Sequence, residues 1–226
     1  MADPVFLITG ASSGIGAATA RQAAEAGYRL VLGARSTDKL EALAGELPDA
    51  IAVTCDVTEW DDNERIVQRA LDEYGQIDVV LANAGFGAAR GWLTETPEFW
   101  KSMVLTNVLG PAYTARAAIP ALKESTGHLL LTSLIAGRRV LPGSLYSCTK
   151  HAVTAMAEAL RQDLNDTGVR VTSIEPGMVD TPFFDNGAPG EALQADDIAR
   201  AIMYAVSQPP HVDVNEILIR PTAQPT

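Results

Sequence analysis

The chain has 226 residues and carries 17 Lys and Arg side chains against 28 Asp and Glu, a formal net charge of −11 at pH 7. This acidic balance argues against a nucleic-acid partner, whose phosphates attract basic surfaces, and 47% hydrophobic with 20% charged residues excludes a disordered chain. The sequence has no apolar run of about 18 residues and no basic stretch before its first apolar run, so it predicts neither a membrane span nor a signal peptide.

Short apolar runs alternate with longer helical patterns along the whole chain. The seven runs that predict strands are Val5–Thr9, Arg29–Gly33, Ile51–Cys55, Asp78–Ala82, His128–Thr132, Val169–Ile174 and Glu216–Ile219. Because these runs are nearly continuous in apolar residues, they are typical of strands buried on both faces of a parallel sheet. The alternation predicts one α/β domain over residues 1–226, with a Rossmann-like doubly wound parallel seven-stranded sheet and helices on both faces.

Single residues mark several helix ends. Thr96 is a suitable N-cap for a helix whose first residue is Pro97, where the missing N–H costs nothing. Gly27 and Gly168 stand at stop positions after the first helix and after the long helix that precedes the sixth strand.

The turn after the first strand is rich in glycine and leads into a helix. It reads Thr9-Gly10-Ala11-Ser12-Ser13-Gly14-Ile15-Gly16. Such a turn lets the backbone approach a pyrophosphate, and the helix N-terminus supplies free N–H groups and a positive dipole end. The spacing is GxxxGxG instead of GxGxxG, and such a turn can also be a plain strand-to-helix joint. Its place between the first strand and the first helix favours a dinucleotide site.

Further motifs follow in chain order, and with them the sequence resembles the single-domain short-chain dehydrogenase/reductase family over nearly its whole length. They are Asp56 in Cys55-Asp56-Val57, Asn83-Ala84-Gly85, Asn107, Ser133, Tyr146-Ser147-Cys148-Thr149-Lys150 and Pro176-Gly177 to Thr181. The resemblance implies an oxidoreductase that transfers a hydride between a nicotinamide cofactor and a carbonyl or alcohol. The cofactor-binding residues that we expect are Gly10, Ser12, Ser13, Gly14, Ile15, Gly16, Arg35, Asp56, Val57, Asn83, Tyr146, Lys150, Pro176, Gly177, Val179 and Thr181.

Tyr146 and Lys150 are four residues apart, which places them on one face of a helix. An ammonium group beside a phenol favours the phenolate and lowers its pKa, so the pair suits proton transfer to and from a carbonyl oxygen. The resemblance assigns Tyr146 as the general acid or base and Lys150 as the residue that also holds the nicotinamide ribose. It further assigns Ser133 as the donor to the substrate carbonyl, and Asn107 as the residue that kinks its helix and orders a relay water.

The cofactor is expected to be NADP(H). The second strand ends Leu32-Gly33-Ala34-Arg35, so Ala34 stands where NAD-specific relatives have an acid that grips the adenosine ribose. Arg35 can bind a 2′-phosphate bidentately. Ser13 stands where some NADP-dependent relatives carry a basic residue, so we expect a preference and not an exclusion.

The substrate is predicted from the loops around the expected site. Residues 182–195 form a short lid before Asp196, which is expected to cap the next helix, and glycine and proline in the lid disfavour a helix there. Aromatic and apolar residues that could line a pocket for bulky ketones or keto esters are Phe86, Trp92, Leu141, Phe183 and Phe184. The arginines that could instead hold a substrate carboxylate are Arg90, Arg138 and Arg139.

Other functions stay open. Residues 211–222 resemble the end of the serine and 3-hydroxy acid dehydrogenase branch, so oxidation of small 3-hydroxy acids is the main alternative. A non-catalytic nucleotide sensor would lack the tyrosine or the lysine, and a methyltransferase has no use for the Ser133, Tyr146 and Lys150 set. Family relatives are oligomers, so we expect a homotetramer or a dimer, with Ala152, Ala155 and Ala159 as small residues suited to helix contact.

Cysteine and histidine contribute no predicted chemistry. Cys55 and Cys148 are too few for a disulfide framework and fit a reducing cytoplasm, where both are expected to be small buried packing residues. His128, His151 and His211 do not stand at metal-ligand spacing, so no metal site is expected and they should be surface or packing residues.

Overall fold

The strands and helices of the computed structural model follow one another in strict alternation over most of the chain. It describes residues 3–87, 91–141, 145–182, 187–188 and 190–224. The strands in these ranges are β1 (Val5–Thr9), β2 (Arg29–Ala34), β3 (Ala50–Thr54), β4 (Val79–Ala82), β5 (His128–Thr132), β6 (Arg170–Pro176), β7 (Val179–Asp180), β8 (Leu193–Gln194) and β9 (Glu216–Ile219). The α-helices are α1 (Gly14–Glu25), α2 (Thr37–Glu46), α3 (Trp60–Tyr74), α4 (Pro97–Val104), α5 (Gly110–Ser125), α6 (Leu145–Asp163) and α7 (Ala195–Val206).

Seven of these strands form one parallel sheet in the order β3-β2-β1-β4-β5-β6-β9, which confirms the predicted doubly wound architecture. The strand order reverses between β1 and β4, and in such sheets a crevice opens beyond the carboxyl ends of the strands at that point. β6 ends two residues later than the sequence predicts, because Glu175 and Pro176 still pair with Leu218 and Ile219 of β9.

The core has two layers because successive strand residues face opposite sides of the sheet. Leu7, Val80 and Leu129 pack with residues of α3, α5 and α6 on one face. Phe6 and Leu130 pack with residues of α1, α2 and α7 on the other. Every residue of β1 and of β5 is buried, which agrees with their continuous apolar sequences.

The sequence predicts two helix N-caps, Thr96 and Asp196, and the structure confirms the first. The Thr96 hydroxyl accepts the backbone N–H of Phe99 (3.1 Å), with Pro97 as the first helical residue. The predicted cap at Asp196 is wrong, because α7 begins two residues earlier. Gln194 is its N-cap and shares a reciprocal capping box with Asp197, whose carboxylate accepts the Gln194 N–H (2.7 Å).

The predicted lid is closed at its base by a short parallel ladder between β7 and β8. In its described part, residues 182, 187–188 and 190–195, no helix forms except at Ala195, which is the first residue of α7. Phe183 and Phe184, which were predicted to line the pocket, lie outside the described residues. Among the described helices, none is long and apolar enough to cross a membrane.

The two cysteines are both free but differ in burial. Cys55 is buried, as expected for a packing residue, whereas Cys148 is exposed, so its predicted burial is wrong. Cys148 stands on the outer face of α6, between Ser147 and Thr149, whose side chains turn toward the protein.

Candidate active site

A cleft of about 890 Å³ opens at the carboxyl ends of the strands. Its volume is in the range of small-molecule and cofactor sites. One end lies beside the glycine-rich turn and the loops after β2 and β3, and the other lies beside α6, α4 and the loop after β4. The lining residues are Gly10, Ser12, Ser13, Gly14, Ile15, Ala34, Arg35, Ser36, Cys55, Asp56, Val57, Asn83, Ala84, Gly85, Phe86, Gly87, Glu95, Phe99, Thr106, Thr132, Ser133, Leu134, Tyr146, Lys150, Thr181, Pro182 and Gly187.

The glycine-rich turn has the shape of an anion cradle. Gly10 and Gly14 adopt φ of +66° and +54°, which glycine tolerates best, and a Cβ atom on Gly10 would lie 2.8 Å from Ala84 Cα. A Cβ atom on Gly16 would clash with the Gly10 carbonyl, so Gly16 lets α1 pack against the turn instead of bordering the cleft. The N-cap of α1, Ser13, makes no side-chain capping bond, and its first turn holds no acid. Its N–H groups and dipole therefore suit a phosphate.

The far end of the cleft is bordered by Ala34, Arg35 and Ser36 after β2 and by Asp56 and Val57 after β3. Ala34 is buried and Arg35 is exposed, so the guanidinium is accessible from the cleft. The Asp56 Oδ1 atom accepts hydrogen bonds from the Thr58 backbone N–H (3.0 Å) and hydroxyl (2.8 Å), which fixes the turn. The end of β2 therefore presents a neutral residue followed by an exposed cation to the cleft.

Asn83 borders the cleft, and its side chain links the ends of three strands through hydrogen bonds. Its amide nitrogen donates to the carbonyl oxygens of Thr9 (3.2 Å) and Gly10 (3.3 Å). Its side-chain oxygen accepts the hydroxyl of Thr132 (3.2 Å). The glycine-rich turn, the end of β4 and the end of β5 are thereby held at fixed distances from one another.

Tyr146 and Lys150 stand side by side on α6, and both are at most 5% exposed. The Lys150 Nζ atom lies 5.8 Å from the centre of the Tyr146 ring and donates to the carbonyl oxygen of Thr132 (2.8 Å). Burial lowers the pKa of Lys150 to about 8, and burial also raises the pKa of Tyr146. The expected lowering of the tyrosine pKa by the lysine is therefore wrong for the chain alone, because desolvation dominates.

Asn107 lies in a π-helical turn, Leu105–Leu109, that joins α4 to α5, so the predicted helix irregularity at this residue is present. Its side chain is 1% exposed. The side-chain oxygen accepts the Phe86 N–H (3.0 Å), and the amide donates to the Phe86 carbonyl (2.8 Å) and the Thr149 hydroxyl (3.2 Å). The side chain thus fixes the loop after β4 and does not border the cleft.

Ser133 borders the cleft, but its hydroxyl points at α6. The Oγ atom donates to the carbonyl oxygen of Lys150 (3.0 Å) and lies 2.7 Å from the Thr154 hydroxyl. Gly137 leaves room for this pair, since a Cβ atom there would lie 2.5 Å from both hydroxyl oxygens. The expectation that Ser133 presents its hydroxyl to a substrate is not met, because its single proton is used within the protein.

The predicted residues after β6 divide into two groups. Thr181 borders the cleft, and a Cβ atom on Gly14 would lie 3.3 Å from the Thr181 side chain. Pro176, Gly177 and Val179 do not border it. A Cβ atom on Gly177 would lie 3.1 Å from Arg220 Cα, so this glycine accommodates the C-terminal tail that packs on the turn.

The substrate end of the cleft is mostly apolar, and the sequence identified only part of it. Phe86 borders it as predicted, and it meets Phe99 edge to face at 5.4 Å. Phe99, Leu134, Pro182 and the carboxylate Glu95 also border this end and were not predicted. Their signal in the sequence is weak, since they lie on a helix turn and on loops whose course depends on tertiary contacts.

Two predicted pocket residues do not border the cleft. Trp92 is 53% exposed and packs against Trp100 at 5.2 Å, so its predicted place in the pocket is wrong. Leu141 lies behind the cleft, against the buried cluster that contains Tyr146 and Met103.

The arginines proposed as carboxylate ligands are not available there. Arg138 is wrong in this role, because its guanidinium forms ion pairs with Glu175 (2.7 Å) and Glu216. Arg139 is exposed and does not border the cleft. Arg90 lies outside the described residues. In the described part of the chain, Lys150 is the cation nearest the substrate end, and Glu95 gives that end an acidic group.

Comparison with known proteins identifies the family of this chain. The family model of the short chain dehydrogenases matches residues 4–192. An uncharacterized oxidoreductase of Staphylococcus aureus is 40% identical over 227 residues, 98% of each chain. The alcohol dehydrogenase of the archaeon Thermococcus sibiricus, complexed with 5-hydroxy-NADP, is 34% identical with a TM-score of 0.91 over 98% of this chain and 97% of that one. A serine dehydrogenase complexed with NADP+ is 29% identical with a TM-score of 0.90 over 97% and 96%. This chain therefore belongs to the short-chain dehydrogenase family of NAD(P)-dependent oxidoreductases.

Proposed function

We propose that this protein is an NADP(H)-dependent carbonyl reductase that acts on bulky or varied ketones and keto esters. The observation that carries the proposal is the buried Tyr146 and Lys150 pair at one end of a cleft whose other end is the glycine-rich turn. An acid and a phosphate cradle within one cleft suit a carbonyl and a dinucleotide bound end to end.

The residues of the chain supply binding and proton transfer. When bound, the nicotinamide nucleotide supplies the hydride to the carbonyl carbon. Tyr146 donates its hydroxyl proton to the carbonyl oxygen, which becomes the alcohol, and Lys150 stabilises the phenolate that remains. Asn107 keeps Phe86 and its loop in place and so shapes the wall of the substrate end. Tyr146 regains a proton from solvent before the next turnover, and alcohol oxidation runs these steps in reverse.

The preference for NADP(H) is supported at the adenosine end of the cleft. Ala34 carries no charge to repel a 2′-phosphate, and Arg35 offers a planar pair of donors to it. Two structurally similar relatives were solved with NADP or a derivative of it. Asp56 and Val57 are proposed to contact the adenine, and Val179 and Thr181 the nicotinamide carboxamide.

The choice of ketones over hydroxy acids is supported by the lining of the substrate end. Phe86, Phe99 and Leu134 present apolar surface to a substrate. Arg138, a residue that could have held such a carboxylate, is committed to Glu175 and Glu216. Oxidation of serine or a related 3-hydroxy acid remains the second candidate, favoured by the similarity to a serine dehydrogenase.

Turnover of a panel of substrates tests this function. Loss of NADPH absorbance is followed with aryl ketones and keto esters, and its gain from NADP+ is followed with serine and 3-hydroxypropionate. We expect higher kcat/KM for the ketones, and Tyr146→Phe should reduce kcat by about 100-fold or more with NADPH binding retained. Tyr204→Phe, an exposed tyrosine on α7, is the matched control. Preference for the acids would favour the second candidate.

The enzyme is further proposed to be cytoplasmic and to assemble as a tetramer or a dimer. Both cysteines are free thiols, which fits a reducing compartment. Ala155 and Ala159 are exposed on α6, and small residues permit close approach of a second helix. Light scattering that reports a 23.9 kDa species at micromolar concentration would contradict the assembly.

A further inference from the structure

The chain stays extended for two residues beyond the end of β5, and these residues face opposite ways. The Ser133 N–H continues the ladder to β6 by donating to the Ile174 carbonyl (2.8 Å), and Leu134 has φ of −170° and ψ of 167°. Successive side chains of an extended chain point to opposite sides. Ser133 turns its hydroxyl to Lys150 and Thr154 of α6, and Leu134 packs against the cluster of Tyr146 and borders the cleft.

We propose that Leu134, and not a serine hydroxyl, meets the reacting carbonyl beside Tyr146, and that this restricts the enzyme to carbonyls activated by an electron-withdrawing neighbour. This inference rests on the proposed reduction of carbonyls and names the class of substrate. Leu134 is a specificity-determining residue in this assignment, because its side chain contacts the substrate without exchanging protons. Ser133 is a structural residue that holds the end of β5 on α6.

The restriction follows from the charge that develops on the carbonyl oxygen. A hydrogen-bond donor aimed at that oxygen is worth about 100- to 1000-fold in kcat, and an isobutyl group supplies none of it. A ketone flanked by an ester or a second carbonyl has an electron-poor carbon and needs less help from a donor. The apolar walls formed by Phe86 and Phe99 accept an aryl group on the other side of such a ketone.

Four variants test the two halves of the assignment with ethyl benzoylformate and acetophenone, which share a phenyl ketone and differ in activation. Ser133→Ala and Thr154→Val each break the same hydroxyl pair, and Thr154 does not border the cleft. We expect both to lose less than about fivefold in kcat and to lose similar thermal stability. A loss of about 100-fold or more in Ser133→Ala alone, the size expected for a carbonyl donor, overturns the proposal.

Leu134→Ser places a hydroxyl where the leucine stands, and Leu134→Ala is the matched control for added space. We expect wild type to favour ethyl benzoylformate strongly over acetophenone, and Leu134→Ser to raise kcat/KM for acetophenone about tenfold or more above Leu134→Ala. No gain over the alanine variant overturns the position assigned to Leu134. NADPH binding, measured by fluorescence titration, confirms that each variant is folded.

A crystal structure of the wild-type complex with NADP+ tests the positions assigned to Ser133 and Leu134 without a turnover measurement. We expect the Ser133 hydroxyl on the Lys150 carbonyl and the Leu134 side chain at the substrate end of the cleft. A Ser133 hydroxyl within hydrogen-bond distance of the Tyr146 hydroxyl overturns the inference while leaving carbonyl reduction intact. Failure of wild type to turn over any carbonyl would instead count against the proposed function.

Discussion

Asn63 of α3 and Thr114 of α5 are both buried, and the Thr114 hydroxyl donates to the Asn63 side-chain oxygen at 2.8 Å. The Asn63 amide donates to the carbonyl oxygens of Val57 (3.0 Å) and Glu59 (2.8 Å). One side chain therefore ties α5 to the loop that borders the adenosine end of the cleft.

Asn63→Ala should lower the free energy of unfolding by about 2 to 3 kcal/mol, because it leaves buried groups on both sides without partners. The affinity for NADPH should also fall, because Val57 loses its anchor. Urea denaturation and fluorescence titration measure the two effects. Gln68→Ala removes an exposed amide from the same helix and should change stability by less than about 0.5 kcal/mol. Equal effects of the two variants would contradict the prediction.

Arg35→Ala should raise the KM for NADPH about tenfold or more and leave the KM for NADH nearly unchanged, because only NADPH carries the 2′-phosphate. Arg35→Lys should recover part of the affinity, since it keeps the charge but not the planar pair of donors. Lys39→Ala removes a nearby exposed cation that does not border the cleft and controls for net charge. Equal losses for both cofactors would remove Arg35 from phosphate binding.

Arg138→Ala should destabilise the fold by about 1 to 3 kcal/mol, a value between those of an exposed pair and a fully buried pair, because the guanidinium is partly exposed. Glu175 is 1% exposed and would keep only the Ser173 hydroxyl (2.9 Å) of the side-chain partners described. Glu175→Gln added to Arg138→Ala should restore part of the loss by removing the buried charge. Arg139→Ala, an exposed neighbour, is the control for urea denaturation. An additive double variant would show that the pair is not coupled.

His128 should make the fold sensitive to acid. Burial, with a smaller contribution from Arg170, lowers its pKa from 6.5 to about 3, and in the described structure its Nδ1 atom has no hydrogen-bond partner. Well above pH 6.5 the ring is neutral in both the folded and the unfolded state, so the stability that its neutral form permits is fully present. As the pH falls below that value, the unfolded chain takes up a proton that the folded chain does not, so stability falls.

Through this uptake of a proton by the unfolded chain, His128 should lower the free energy of unfolding by about 2 to 3 kcal/mol between neutral pH and about pH 4.5. His128→Leu should flatten the dependence of unfolding free energy on pH over that interval, although it also loses the bond to the Thr172 hydroxyl (2.7 Å). His211→Gln, an exposed histidine, should leave the slope unchanged. A slope in His128→Leu as steep as in wild type would assign the acid sensitivity to other groups.

Local pattern was enough to predict the sheet, because a strand buried on both faces must be apolar at every position, as β1 and β5 are. The pairing of Tyr146 with Lys150 also followed from spacing on one helix. Arg138 was misplaced because its partners, 37 residues away on β6 and beyond on β9, leave no trace beside it in sequence. The predicted direction of the Ser133 hydroxyl was wrong for a different reason. Successive residues of an extended chain face opposite sides, and sequence spacing alone does not determine which side a given residue faces.

The π-helical turn at Leu105–Leu109 sets the angular phase between α4 and α5. A π turn holds one residue more than an α-helical turn, so it takes up the extra residue between α4 and α5 without changing the face that α5 turns to the core. Within α5 itself, each residue advances the chain by about 100°, so a one-residue insertion or deletion before Thr114 would rotate the later side chains of that helix by this angle. Thr114 and Ala118 would then leave the core while α4 kept Met103 in place.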